Sequence, residues 1–122
     1  MDTETKRALE TDRTIDITMT GRKTGQIRRK EIWFHNVGGQ IYITGTPGSP
    51  RDWYANLVAT PSFTFHLKGS VQADLAAEAT PVRDPAARRA AFEEPLPGID
   101  RLAEIEGWVK EAPLVYVTFS GE

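Results

Sequence analysis

The sequence contains no cysteine, which excludes disulfides, thiolate metal sites and cysteine nucleophiles together. Histidine is scarce: only His35 and His66 occur, without the HxxxH-type spacing of a metal site and without a serine or acid beside them in a nucleophile-like motif. No apolar run approaches the roughly 18–20 residues that a membrane span needs. The opening MDTETKRALETDR is polar and charged, with no apolar core of a signal peptide. These absences lead us to expect a cytoplasmic protein. An excess of basic charge is missing too. Fifteen Lys and Arg face 17 Asp and Glu, a net charge of −2, which does not suit a nucleic-acid-binding face. No internal repeat, low-complexity stretch or interdomain linker is visible. A chain of 122 residues is expected to form one domain, burying about two thirds of the surface its unfolded chain would expose.

Against that acidic background stands TGRKTGQIRRK, Thr20 to Lys30, with five cations and no acid. Residues 22–31 carry +4 and the rest of the chain −6. A charged hairpin turn in solvent is one reading, since edge lysines discourage strand-to-strand association. An anion site is the other. The cations are unpaired within the stretch, and Gly21 and Gly25 would let backbone amides converge into an anion-binding nest. Arginine also suits forked hydrogen bonding to phosphate or carboxylate.

Alternation of apolar and polar residues predicts strands. Ile15, Ile17 and Met19 share one face of the first strand. The second runs from about Gln26 to His35, with Ile32 and Phe34 on one face and Arg29, Glu31, Trp33 and His35 on the other. Val37-Gly38-Gly39 turns into a third strand, Gln40–Thr44. Phe63–Leu67, Val71–Val82 and Leu114–Ser120 supply three more. Ser49-Pro50 and Asp84-Pro85 each carry the N-cap and first-turn proline of a helix. They predict helices over about 51–59 and 84–94, the second ended by PLPG at 95–98, with a further helix over about 99–110. Residues 1–13 are expected to be flexible or helical, and 14–122 to form a single domain. Six strands with short helices between them suggest a small antiparallel barrel or curled sheet.

In SPRDWYANL, Trp53 and Leu57, or Tyr54 and Val58, have the spacing to pack on that barrel. Alternatively, Trp53 and Tyr54 wall a flat heteroaromatic ligand whose edge Asn56 reads. Asn56 is a poor residue for a helix interior unless its amide finds a partner.

Taken in order, TMTGRKTGQIRR, GGQIYITGT and RDWYANLVATP resemble the deazaflavin (coenzyme F420)-dependent nitroreductase and quinone reductase family over about residues 17–67. The resemblance implies a mainly β fold with short helices: a six-stranded antiparallel split β-barrel of the pyridoxamine-phosphate-oxidase-like kind, often dimeric in related proteins. It implies coenzyme F420 as cofactor, with FMN as the alternative, and a quinone, nitro compound or activated alkene as acceptor. A binding protein without turnover is the alternative to an enzyme. By position, Arg22, Lys23, Thr24 and Arg28 would hold the cofactor's phosphate and acidic tail, with Arg29, Lys30 and Glu31 continuing along it. Thr44, Gly45, Thr46 and Pro47 would approach the ring, and Asp52, Trp53, Tyr54, Ala55 and Asn56 would complete the pocket. Thr46 and Tyr54 would orient or protonate the acceptor. The chain departs from the family pattern at Glu31-Ile32, where proline is common, and at Pro47, where lysine is common. A carboxylate at 31 must therefore point away from an anionic ligand or be compensated.

Overall fold

The computed structural model describes residues 2–45, 52–93 and 105–120. The first alternating segment is β1 (Thr14–Thr20), with Ile15, Ile17 and Met19 buried. β2 (Ile27–Val37) returns antiparallel from the basic turn, and β3 (Gln40–Thr44) returns from Gly38 and Gly39. Both glycines have positive φ, 62° and 91°, as a tight two-residue hairpin requires. β4 (Ser62–Leu67), β5 (Ala73–Pro81) and β6 (Leu114–Phe119) complete the sheet. The strand order is β1-β2-β3-β6-β5-β4, and β1 also pairs with β4, so the antiparallel sheet closes into a barrel.

Four strands differ by one or two residues at their ends from the sequence expectation, β4 and β6 by a single residue and β2 and β5 by more. β2 continues to Val37, because pairing with β3 holds it as far as Gln40. β5 begins at Ala73 rather than Val71. There the Asp12 carboxylate accepts the Ser70 amide at 3.1 Å and the Ser70 hydroxyl at 2.9 Å, which broadens the β4–β5 turn. A Cβ on Gly69 would stand 2.7 Å from that carboxylate, so a side chain there would push Asp12 away from the turn.

The barrel interior is apolar. Phe65 lies at its centre, edge-on to Phe34 at 5.3 Å and to Phe119 at 5.1 Å, in the geometry favoured by aromatic pairs. The N-terminal segment is helical. In α1 (Thr3–Thr11), Asp2 caps the first turn by accepting the Thr5 amide at 2.7 Å, and Ala8 and Leu9 join the barrel core. In α2 (Asp52–Ala59), Trp53 and Leu57 are buried in the same core. The expected helix start at Ser49-Pro50, the PLPG break and residues 99–104 of the last helix lie outside the described residues.

α3 (Pro85–Glu93) is capped by Asp84, which accepts the Ala87 amide at 2.9 Å. With α4 (Ile105–Glu111) it builds a second apolar cluster from Ala91, Phe92, Trp108, Val109, Ala112 and Leu114. Val37 and Tyr42 pack against that cluster, so this layer covers the outer face of the barrel at β2, β3 and β6. Arg88 ties the layer together. It is buried and donates to the carbonyls of Val82 (2.8 Å), Trp108 (3.1 Å), Val109 and Ala112.

His35 faces outward from the barrel, opposite Tyr42, yet is only 4% exposed, and its Nδ1 has no hydrogen-bond partner among the described residues. Burial, with a smaller contribution from the charge of Arg13, pushes its pKa down to about 4. The unfolded chain therefore takes up this proton first as pH falls. The stability His35 contributes is complete above about pH 6.5 and is lost as pH falls through about 4, a change of about 3 kcal/mol. We expect His35→Leu to remove this acid-sensitive component, read as the difference in urea-unfolding free energy between pH 7 and pH 4. An unchanged difference would assign the acid sensitivity to other groups.

Candidate functional site

Three backbone amides of the basic turn are taken up within the fold. Gly21 donates to the Gln26 carbonyl at 2.7 Å and Gly25 to the Gly21 carbonyl at 2.8 Å. The Arg22 amide donates to Asn56 Oδ1 at 3.0 Å. The nest of free amides expected from the two glycines is thus not formed by these three groups, because the turn and α2 consume them. Gly25, with φ 74°, shapes the turn, a conformation that disfavours a side chain. Gly21 serves a different purpose. A Cβ there would meet the Gln26 carbonyl at 3.1 Å and Arg28 Nε at 3.4 Å, so glycine lets the Arg28 side chain lie across the turn.

Between this turn, the start of β2 and α2 lies a cavity of about 480 Å³, lined by Met19, Gly21, Arg22, Lys23, Thr24, Arg28, Arg29, Lys30, Asp52, Trp53 and Asn56. Five cations and one carboxylate therefore share one concavity. Its volume is in the range of small-molecule sites.

The pleat of β2 distributes the cations. Arg28 and Lys30 stand opposite Met19 and Ile17, on the side of the barrel interior, while Arg29 and Glu31 stand opposite Thr18 and Asp16, on the outer side. Arg29 Nε is held by Asp16 at 3.0 Å, and Arg22 Nη2 by Asp52 at 3.2 Å. Lys23, Arg28 and Lys30 have no ion-pair partner among the described residues. Three free cations beside two anchored ones suit an extended polyanion better than a single small anion.

Glu31 does not line the cavity. Its carboxylate is paired with Lys68, which also bridges to Asp16 at 2.8 Å. The ammonium of Lys68, with Arg29 second, holds the Asp16 carboxyl below the usual range, and the Lys68 ammonium is raised in turn by Asp16 and then Glu31. The compensation that Glu31 requires is therefore present, supplied by a residue the sequence reading had not connected to it.

The remaining candidates divide. Trp53 and Asn56 meet the cavity although both are buried. Tyr54 is half-buried against the barrel core, edge-on to Trp53 at 5.9 Å, and neither it nor Ala55 lines the cavity. Thr44 and Gly45 also stand outside this lining. The Thr44 hydroxyl donates to the Pro113 carbonyl at 2.6 Å, and the Gly45 amide reaches the same oxygen at 3.4 Å. Thr46 and Pro47 lie outside the described residues. Met19 is a lining residue that sequence reasoning treated only as core.

On the outer face, the fold brings a hydroxyl and an acid to His66, which the sequence spacing did not reveal. Thr18 Oγ1 lies 2.6 Å from Nε2 and Asp74 Oδ1 2.7 Å from Nδ1. The chain Thr18–His66–Asp74 links β1, β4 and β5 on the sheet surface, and none of the three lines the basic cavity. No cluster of potential metal ligands occurs among the described residues, and no helix among them is long and apolar enough to cross a membrane.

Solved structures share the architecture at low identity. The Rv2991 protein of Mycobacterium tuberculosis is 17% identical with a TM-score of 0.72, covering 98% of this chain and 81% of its own. A NimC/NimA family protein of Clostridium acetobutylicum is 15% identical with a TM-score of 0.66, over 93% of this chain and 81% of its own. A second protein from that organism, of the pyridoxine-phosphate oxidase family and related to general stress protein 26, is 11% identical with a TM-score of 0.65, over 95% and 81%. The fold is thus the split barrel of the pyridoxamine-phosphate-oxidase-like proteins. The family model for F420H2-dependent quinone reductases matches residues 1–98. With the barrel and its cationic cavity in place, the chain belongs to the F420H2-dependent quinone reductase family, an oxidoreductase whose cofactor is coenzyme F420.

Proposed function

We propose that the basic cavity holds the phosphate and glutamate tail of the deazaflavin, and that the enzyme passes a hydride to a small electron-poor acceptor, a quinone first among the candidates. The observation that carries this reading is the set of three free cations, Lys23, Arg28 and Lys30, beside the anchored Arg22 and Arg29 in one cavity. A ligand with several anions in series engages all of them, whereas the single phosphate of FMN leaves most unused. When bound, the reduced deazaflavin supplies the hydride from its C5 position. The chain's own residues bind and orient. The cations fix the tail, Trp53 closes the cavity from the barrel side, and the hydroxyls of Thr46 and Tyr54 are assigned the role of orienting the acceptor or supplying its proton.

Titration of the purified protein with coenzyme F420 and with FMN at matched ionic strength, followed by tryptophan fluorescence, tests the site. We expect salt-sensitive binding of F420 well ahead of FMN, and F420H2-dependent reduction of menadione by the loaded protein. Preference for FMN would overturn the cofactor assignment at this cavity. Tight F420 binding without turnover would make the protein a cofactor carrier.

A further inference from the structure

Arg22 is the one cation of the cavity held from a second element on two sides. Asn56 Oδ1 accepts its Nη1 at 2.9 Å and its backbone amide at 3.0 Å. Asp52 accepts Nη2 through Oδ1 at 3.2 Å, and its carbonyl lies 3.4 Å from Nη1. A guanidinium has five N–H bonds in one plane. Nη1 has two acceptors on α2 and Nη2 has one. Nε donates to no described residue, and the edge it shares with Nη2 is the one that grips phosphate or carboxylate with two bonds.

We propose that Asp52 and Asn56 are positioning residues: they lock the guanidinium of Arg22 so that its Nε edge is presented to a ligand oxyanion. This rests on the reading that the cavity is the anion site. Asn56 is suited to the task, being 5% exposed, with its Nδ2 directed at Met19 Sδ at 3.9 Å, so that its amide has little freedom to turn. Asp52 sits at the start of α2 with its side chain 85% exposed, where an ion pair adds little to stability. Its carboxylate would be a liability in an anion site if it acted through charge alone.

That conflict gives the test its sign. Asp52→Ala makes the cavity one unit more positive. On charge alone, anions bind tighter; on positioning, they bind more weakly because the fork is released. We expect Asp52→Ala to weaken binding by about fivefold or more, with an unchanged melting temperature. Asp52→Asn keeps the acceptor and should restore affinity to within about twofold of the parent. Two probes are titrated in parallel, coenzyme F420 by fluorescence and inorganic pyrophosphate by calorimetry. Tighter binding of either probe to Asp52→Ala, or no rescue by Asp52→Asn, overturns the proposal. If pyrophosphate binds but F420 does not, the cofactor assignment falls, and the pyrophosphate series still decides the role of Asp52. If neither binds the parent protein, the cavity is not an anion site and the positioning role falls with it.

Discussion

Reversing two charges at once, Arg22→Glu with Arg28→Glu, should lower the affinity for coenzyme F420 about a thousandfold or more while leaving a folded barrel. The lining then changes from five cations and one carboxylate to three of each. Each lost charge-assisted hydrogen bond removes about 1.5–3 kcal/mol, and 4.1 kcal/mol is about a thousandfold in affinity. Repulsion from the new carboxylates adds to that loss. The fold is expected to survive because the turn is closed by the Gly21–Gln26 and Gly25–Gly21 backbone bonds, which use neither side chain. Fluorescence titration reads the affinity, and a circular-dichroism melt reads the fold. A loss of less than about tenfold would remove the basic turn from cofactor binding.

The largest effect on stability should come from a residue far from that turn in sequence. Arg88→Met is expected to cost about 3–5 kcal/mol and to lower Tm by roughly 10 °C or more. Among the described residues Arg88 serves four carbonyls, three of them at the C-terminal end of α4 and just beyond it (Trp108, Val109 and Ala112), where a helix leaves acceptors without intrahelical donors. Methionine fills much of the same space and removes these donors; the Trp108 oxygen keeps the Ala112 amide at 3.1 Å, and the other three lose the arginine together. Thermal and urea melts of the variant measure this. A change below about 1 kcal/mol would mean that the layer of α3 and α4 accommodates water at those oxygens and that the arginine is not what joins them.

The strands were legible because a half-buried strand writes its burial with a period of two. Ile15, Ile17 and Met19 declare their face without help from the rest of the chain. The helix starts were legible where the cap is local, as at Asp84. The lining of the cavity was legible only as a run of charge. The sequence groups Arg28, Arg29, Lys30 and Glu31 together, but the pleat sends neighbours to opposite sides, and Glu31 leaves the site altogether. What the sequence could not carry are pairs made by closure of the barrel. Asn56 is out of place in a helix interior until Arg22 meets it, 34 positions earlier in the chain. Lys68 explains the tolerance of Glu31 only once β1 lies between β2 and β4. Arg88, set in an alanine-rich helix that reads as scaffold, reveals its role only when the end of α4 is placed over it. Each of these is a polar contact whose partner is fixed by topology rather than by spacing.

The closed strand order has a consequence for how copies of this chain can associate. Every strand from β1 to β6 has a neighbour on both sides, but Ile27–Trp33 of β2 pairs only with β1 and Ala73–Ala76 of β5 only with β4. Among the described residues, backbone addition of another molecule's strand is thus confined to those two short edges, and elsewhere copies meet through side chains. A pair formed instead by trading a strand would have to open two hydrogen-bonded ladders first, and would then be trapped by the same barrier when it came to separate.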